Sequence, residues 1–240
     1  VRIVALIPAR AGSKRCHGKN TRLLNGHPLI AYTIRAAQDS GVFADVWVST
    51  EDDHAARLAM EYGARVISRS SEAAHDDAPD IMWVREFFQH QNADYNAFAI
   101  LRPTSPFRTA AMIRRCYEQF IRDESHSTRA VEAVKQHPGK MWWNNGPGYP
   151  MTPVCDAKRS DGTPWHSSPT QTLPPAYVQN ASLEMAWTYV LDSFGTISGR
   201  KISPFVTDGL EGFDINTEED WREAERLALL DPRSPLPCLS

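Results

Sequence analysis

The segment Val1-Arg-Ile-Val-Ala-Leu-Ile7 is an almost unbroken apolar run that ends on Pro8 and opens at once into a loop rich in glycine and positive charge. Strands with one wet face alternate polar and apolar residues, so a run without a polar face predicts a strand covered on both sides. The same arrangement recurs along the chain. Pro28 to Gln38 carries Leu29, Ile30, Ile34 and Ala37 at helical spacing, and Gly41 supplies a stop. Val46 to Ser49 reads as a second strand, Asp53 to Tyr62 as a helix ended by Gly63, and Ala64 to Ser68 as a third strand. Asp80 to His90 is a helix with Ile81, Val84, Phe87 and Phe88 on one side, and Ala97 to Leu101 a fourth strand. Thr109 then caps a helix whose Met112, Ile113, Cys116, Tyr117, Phe120 and Ile121 recur at the helical period. Four strand–helix alternations within roughly 120 residues predict an α/β fold with a doubly wound, mainly parallel sheet. Ligands of such sheets bind beyond the carboxyl ends of the strands, which directs attention to the loops after Ile7, Ser49, Ser68 and Leu101.

The second half is less regular. Proline, glycine, asparagine and serine crowd between Lys140 and Tyr177, with Trp142, Trp143 and Trp165 among them. Aromatics at that frequency argue for an ordered arm, a lid or dimer contact, rather than a disordered linker. Ser182 to Leu191 and Ile202 to Val206 read as further strands. The last helix opens at Thr217, where Thr-Glu-Glu-Asp220 makes a capping box, and the tail from Asp231 is proline-rich and expected to fray. The expectation is one domain over residues 1–240 with an arm at about 140–195.

A formal net charge of -3 with acids and bases intermixed gives no sign of a nucleic-acid partner or a membrane-facing surface. Cys16, Cys116, Cys155 and Cys238 form no C-x-x-C pair, which fits reduced thiols in a cytoplasmic protein. The opening apolar run is too short for a signal sequence, and no stretch approaches the length of a membrane span.

The first loop, Pro8-Ala-Arg-Ala-Gly-Ser-Lys-Arg-Cys-His-Gly-Lys-Asn20, is the richest in chemistry. Glycines let backbone N–H groups close on phosphate oxygens, and the cations neutralise a polyphosphate. It is not the P-loop of NTPases: five residues separate Gly12 from Gly18, and Asn20 follows Lys19. Nor is a dinucleotide G-x-G-x-x-G present.

Ile7-Pro-Ala-Arg-Ala-Gly-Ser-Lys14 followed by Gly18-Lys-Asn20 resembles the signature of acylneuraminate cytidylyltransferases, the CMP-sialic acid synthetase family. Leu101-Arg-Pro-Thr-Ser-Pro-Phe-Arg-Thr109, His137-Pro-Gly-Lys140 and Phe213-Asp-Ile-Asn216 resemble three further motifs of that family, in the right order. The resemblance implies the nucleotide-diphospho-sugar transferase (Rossmann-like) fold, a dimerisation arm and a homodimer. It also implies magnesium-dependent transfer of CMP from CTP to a nonulosonic, sialic-acid-like sugar acid, with release of pyrophosphate. By that resemblance Arg10, Lys14 and Lys19 contact the triphosphate. Ala9, Ala11, Ser13, Asn20, Arg69, Asp80, Arg102, Thr104 and Ser105 take the nucleotide, with Asp76 beside them. Gln171, Asn180, His137 and Lys140 face the acceptor, and Asp214 with Asn216 hold Mg2+. Two alternatives stand beside it: an enzyme of the same fold acting on a sugar phosphate or phosphonate, and a catalytically silent nucleotide-binding module. Arg108 has two readings, a ligand contact or a brace for the Pro-Thr-Ser-Pro turn, and Asp214 is either a metal ligand or a turn-forming residue before the last helix.

Departures from the family pattern refine the expectation. Arg102 replaces a usual glutamine, Asn216 a second metal aspartate, and Asp80 a small hydroxyl residue or alanine. Cys16-His17 stands where a small apolar residue and proline are usual. Thr170 and Val178 occupy the places of two arginines that contact the sugar acid, so the guanidinium fork for its carboxylate is absent there. Arg102, Lys140, Lys158 or Arg159 are candidates to compensate, and the expected acceptor is another nonulosonate or a different anionic hydroxy compound rather than sialic acid itself.

Overall fold

A computed structural model of the chain describes residues 1–12, 16, 18–91 and 94–230. Ser13, Lys14 and His17 of the first loop and the tail from Asp231 lie outside the described residues. The chain forms two compact units, one built from Val1–Ala130 and the chain from Asn180 onward, the other from Val131–Gln179.

In chain order the elements of the first half are β1 (Ile3–Pro8), β2 (Leu23–Leu24), β3 (His27–Pro28), α1 (Leu29–Ser40), β4 (Asp45–Thr50), α2 (Asp53–Glu61), β5 (Arg65–Ser68), α3 (Ser71–Ala74), α4 (Asp80–His90), β6 (Ala97–Ile100), α5 (Ala110–Arg122) and β7 (Ser127–Ala133). After them come β8 (Trp142–Trp143), β9 (Thr152–Pro153), β10 (Tyr177–Trp187), α6 (Val190–Phe194), β11 (Ile202–Val206) and α7 (Glu218–Leu230).

Seven strands make one sheet in the order β11-β7-β10-β6-β1-β4-β5. Strand β1 pairs in parallel with β4 and with β6, β4 pairs in parallel with β5, and β10 runs antiparallel to β6. The apolar run at the start explains the layers. Ile3, Ala5 and Ile7 pack with Ile30 and Ile34 of α1, Ala55 of α2 and Cys116 of α5. Val4 and Leu6 point the other way, onto Trp83, Val84 and Phe87 of α4 and Val190 of α6. Successive residues of a strand face opposite sides, so a strand with no polar face needs helices on both. Helix α1 stops where Gly41 takes a left-handed φ of 65° and returns its N–H to Gln38 O. A third apolar cluster of Leu24, Leu29, Tyr32, Ile215 and Trp221 seats α7 and thereby fixes the segment before it. The capping box is formed: Thr217 N–H donates to Asp220 Oδ2 at 2.8 Å and Asp220 N–H to Thr217 Oγ1 at 3.2 Å.

The short elements β2, β3, α3, β8 and β9 have no counterpart in the sequence reading, and two strands of the seven-stranded sheet differ from it. Strand β7 has no counterpart there, because Ser-Thr-Arg-Ala-Val-Glu-Ala has no apolar run. Ser127 and Thr128 are nonetheless fully buried, and Arg129 is ion-paired with Glu184 of β10 at 3.1 Å, so polar pairing replaces apolar alternation here. The strand expected at Ser182 to Leu191 is β10, which begins earlier and ends at Trp187; Val190 and Leu191 belong to α6.

The second unit contains the hairpin β8–β9, with Trp142 opposite Pro153 and Trp143 opposite Thr152. No helix among the described residues is long and apolar enough to cross a membrane.

Candidate active site

The carboxyl ends of β1, β5 and β6 open on one cleft of the first unit. Arg10, Lys19, Asn20, Arg69, Asp80, Arg102, Thr104, Asp214 and Asn216 all line it. Residues far apart in sequence thus meet where a doubly wound sheet places its ligands.

The first loop is anchored by backbone and amide groups. Ala9 N–H donates to Ser49 O at 3.0 Å, and Ala9 O accepts from Thr50 Oγ1 at 2.5 Å. Asn20 is buried; its Nδ2 donates to Arg10 O at 3.0 Å and its carbonyl accepts from Ile30 N–H at 2.9 Å. Gly18, with φ at 58°, turns the chain so that its carbonyl accepts from both Thr21 and Arg22 N–H at 3.0 Å. Ala9 and Asn20 therefore build the loop, while Arg10 and Lys19 reach the cleft. Arg10 pairs with Asp76 at 2.5 Å, and Ala11 N–H donates to Glu51 Oε1 at 2.7 Å. Lys19 Nζ donates to Ile215 O at 2.9 Å.

Arg69, directly after β5, is buried, donates to Ser49 Oγ at 3.1 Å and lies 4.9 Å from the centre of the Trp83 ring. Desolvation lowers its pKa to about 10 against the pull of Glu51 and Asp80. Asp80, in the first turn of α4, accepts from Trp83 Nε1 at 2.9 Å and takes a two-point contact from Arg102, at 2.5 and 3.4 Å. Arg102 also reaches Glu184 at 3.4 Å. Burial alone would raise the Asp80 carboxyl, but the hydrogen bonds and charge of Arg102 outweigh it and hold that carboxyl below its ordinary range. The two unusual residues at 80 and 102 are one bonded pair.

Arg108 is the brace. It is fully buried and donates to Ser182 O at 2.5 Å, Arg102 O at 2.7 Å and Thr33 Oγ1 at 3.1 Å, which fastens the Pro-Thr-Ser-Pro turn to β10 and α1. Within that turn Thr104 O accepts from Ile215 N–H at 2.8 Å. The buried Ser105 Oγ has no hydrogen-bond partner among the described residues.

Asp214 is the residue here whose environment suits a cation. Its Oδ1 is buried without a hydrogen-bond partner among the described residues, and its Oδ2 accepts from Asn216 Nδ2 at 2.6 Å. An unpartnered buried carboxylate oxygen is costly unless something positive approaches it. Asn216 spends its Nδ2 on that hydrogen bond and has a neutral amide oxygen left to offer. No group of three or more metal-binding side chains occurs among the described residues. Magnesium does not require one, since it commonly takes one or two protein oxygens and completes its shell with phosphates and water.

The remaining expected residues have other surroundings. Asn180 donates to Thr207 Oγ1 at 3.0 Å and accepts from Ser182 N–H at 3.2 Å. In the second unit, His137 accepts at Nδ1 from Gly139 N–H and contacts Pro174 O at 2.9 Å through Nε2. Lys140 donates to His166 O at 2.9 Å and to Ser168 O, and Arg159 pairs with Asp161 at 3.6 Å. Gln171 is exposed on a short turn of 3-10 helix, Thr170–Thr172. His137 and Lys140 thus brace the turns of their own unit. Glu51 and the Glu184–Arg129 pair escape the sequence reading; the one legible signal is an acid directly after a strand, at the end where ligands bind.

A family model described as cytidylyltransferase matches residues 4–139. The chain is 33% identical over 242 residues to the CMP-N,N'-diacetyllegionaminic acid synthase of Legionella pneumophila, an alignment covering 96% of this chain and 98% of that protein. It is 31% identical over 234 residues to N-acylneuraminate cytidylyltransferase A of Danio rerio, covering 95% of this chain and 51% of that longer one. Among solved structures, CMP:2-keto-3-deoxy-manno-octonic acid synthetase complexed with CTP superposes with a TM-score of 0.70 at 15% identity, over 96% of this chain and 99% of that one. The 4-diphosphocytidyl-2C-methyl-D-erythritol synthase of Anaerococcus prevotii gives 0.60 at 10% identity, over 95% and 98%. At such identities the structural likeness establishes a shared fold.

Proposed function

The chain belongs to the acylneuraminate cytidylyltransferase family, and from that membership we propose that it transfers CMP from CTP to a nonulosonic, sialic-acid-like sugar acid and releases pyrophosphate. The observation that carries the proposal is the convergence of Arg10, Lys19 and Arg69 with Asp214, and its unpartnered buried oxygen, on one cleft at the carboxyl ends of the strands.

In the reaction the acceptor hydroxyl oxygen forms a bond to the α-phosphorus of CTP. The bond from that phosphorus to the bridging oxygen breaks on the opposite side, pyrophosphate leaves with the electron pair, and the hydroxyl proton passes to solvent. The chain needs no covalent intermediate for this; it places the two reactants and offsets negative charge. Arg10, Lys14 and Lys19 contact the triphosphate, with Ser13, Ala11 and Asn20 from the same loop and Ala9 beneath it. Arg69, Asp80, Arg102 and Thr104 form the nucleotide side of the cleft, and Ser105 supports it from within the buried turn. Asp214, with Asn216, would hold Mg2+, which when bound screens the triphosphate and polarises a hydroxyl. Gln171, Asn180, His137 and Lys140 serve the acceptor, the last two by shaping their turns.

The acceptor is a nonulosonate other than sialic acid itself. Thr170 and Val178 in the places of two arginines support this, as does the similarity to a synthase named for N,N'-diacetyllegionaminic acid. Exposed Trp143, Tyr149 and Met151 of the second unit support its role as a homodimer contact. The free thiols of Cys16, Cys116 and Cys155 support a cytoplasmic setting.

The test is pyrophosphate release by the purified protein with magnesium and each nucleoside triphosphate, against a panel of nonulosonic acids, sugar phosphates and phosphonates. Release requiring CTP and a nonulosonic acid is expected. Release only with another acceptor class, or none with CTP still bound, overturns the assignment in favour of the sugar-phosphate enzyme or the silent module respectively.

A further inference from the structure

Two consecutive residues past β1 carry donors that each face a carboxylate of the chain itself, and one of these pairs, Arg10 with Asp76, lines the cleft. Arg10 donates to Asp76 Oδ1 at 2.5 Å, and Ala11 N–H donates to Glu51 Oε1 at 2.7 Å. Glu51 follows directly on β4, and Asp76 lies between α3 and α4. The backbone beneath these donors is fixed by other groups: Ser49 and Thr50 hold both polar atoms of Ala9, and Asn20 holds the Arg10 carbonyl. The two carboxylates therefore occupy donors that the loop does not need for its own anchoring. Carboxylate and phosphate oxygens compete for the same guanidinium and amide donors, and each forms a charge-assisted bond with them.

We propose that Glu51 and Asp76 are positioning residues of the nucleotide site, standing in for phosphate oxygens until a triphosphate displaces them. This rests on the assignment of the cleft to CTP and deepens it. The stand-ins hold Arg10 and the Ala11 N–H in a receiving arrangement, so that little ordering remains to be done when the nucleotide enters. They also set its affinity. Binding must break two charge-assisted bonds and leaves two negative charges beside the triphosphate, and those same charges favour the departure of pyrophosphate.

Glu51→Gln and Asp76→Asn keep shape and an acceptor oxygen while removing the charge. Calorimetric titration of the full chain with CTP and magnesium, and separately with inorganic pyrophosphate, reads the effect without turnover. Each single variant is expected to bind CTP about threefold more tightly and the double variant about tenfold. The KM for CTP falls with them, kcat does not rise, and pyrophosphate inhibits more strongly. Unchanged affinity in the double variant overturns the proposal, because the carboxylates would then be bystanders. Weaker binding overturns it too: with an unaltered melting temperature the carboxylates would serve the bound nucleotide, and with a lowered one they would be scaffold. An unmodified chain that fails to bind CTP overturns the nucleotide assignment, and this inference with it.

Discussion

Lys19 donates from Nζ to the carbonyl oxygen of Ile215 at 2.9 Å, which ties the first loop to the segment between Asp214 and Asn216. One ammonium group thus serves the loop proposed to take the triphosphate and the segment proposed to take the metal. Lys19→Met should lower kcat/KM for CTP by about 10²- to 10³-fold, the usual loss when one preorganised donor to developing charge is removed. It should also raise the magnesium concentration needed for half-maximal rate, because the Asp214 segment loses its tie to the first loop and keeps those to Thr104 and Asp220. Initial rates over a grid of CTP and magnesium concentrations measure both. A rise in the KM for CTP alone, with an unchanged magnesium requirement, would show that the tie to Ile215 has no catalytic consequence.

Asp214→Asn separates the metal role from the structural one. The buried Oδ1 has no hydrogen-bond partner among the described residues, so Asp214→Asn breaks no bond there; it removes only the charge that favours the buried Arg108 guanidinium, and the variant should melt slightly lower than the unmodified protein. A metal that binds only the folded state raises its melting temperature. Magnesium should therefore stabilise the unmodified chain and leave Asp214→Asn unmoved, while turnover drops by at least about 10²-fold. Equal stabilisation of both proteins would move the cation away from Asp214.

Strands β1, β4, β5 and β6 and their helices are legible because apolar runs, helical spacing and glycine stops all agree, as they do where helices cover both faces of a sheet. Strand β7 is not, since Arg129 finds its partner Glu184 on another strand and nothing in Ser127–Ala133 shows that pairing locally. The cleft follows the same division. Arg10, Lys19, Arg69 and Asp214 can be placed from motifs and from strand ends. That Asp80 and Arg102 answer each other, and that Glu51 meets Ala11, are facts of three-dimensional proximity between segments that no spacing rule connects. Arg108 has two readings from sequence, and only its burial and three donated hydrogen bonds decide between them.

The Asp80–Arg102 pair predicts a specific acid response. Although burial pulls the Asp80 carboxyl upward, Arg102 holds it below its ordinary value of 3.8. A carboxyl depressed in the folded state contributes its stabilisation in full above the unfolded value and loses it as pH falls through the folded one. Stability should therefore fall as pH drops below the ordinary value of 3.8, with a shallower fall in Asp80→Asn. At pH 7 Asp80→Asn should cost about 2 kcal/mol, while Asp80→Asn/Arg102→Met should lie closer to the unmodified protein, because a neutral pair replaces a partly buried ion pair at little loss. Urea unfolding of the four proteins at pH 7 and near pH 3 completes the cycle. Simple additivity of the two single variants would show that the pair does not act as a unit.

Arg108 should tolerate no replacement that leaves its acceptors empty. Its guanidinium is fully buried, burial lowers its pKa to about 9, and it satisfies the carbonyls of Ser182 and Arg102 together with the Thr33 hydroxyl. Arg108→Met removes the buried charge but takes the guanidinium donors from Ser182 O and Thr33 Oγ1 and leaves Arg102 O with only the longer 3.4 Å bonds from Thr33 Oγ1 and Ser105 N–H, and should destabilise the chain by about 3 kcal/mol. Arg108→Lys keeps the charge yet cannot span three acceptors from one point, so it should recover only part of that loss. Because Arg102 and Thr104 belong to the turn that Arg108 fastens, both variants should also weaken CTP binding more than any change of charge at the surface. Denaturant unfolding gives the first quantity and calorimetric CTP titration the second. A stable Arg108→Met protein that binds CTP normally would return Arg108 to a bystander role and leave the turn to be held by its two prolines alone.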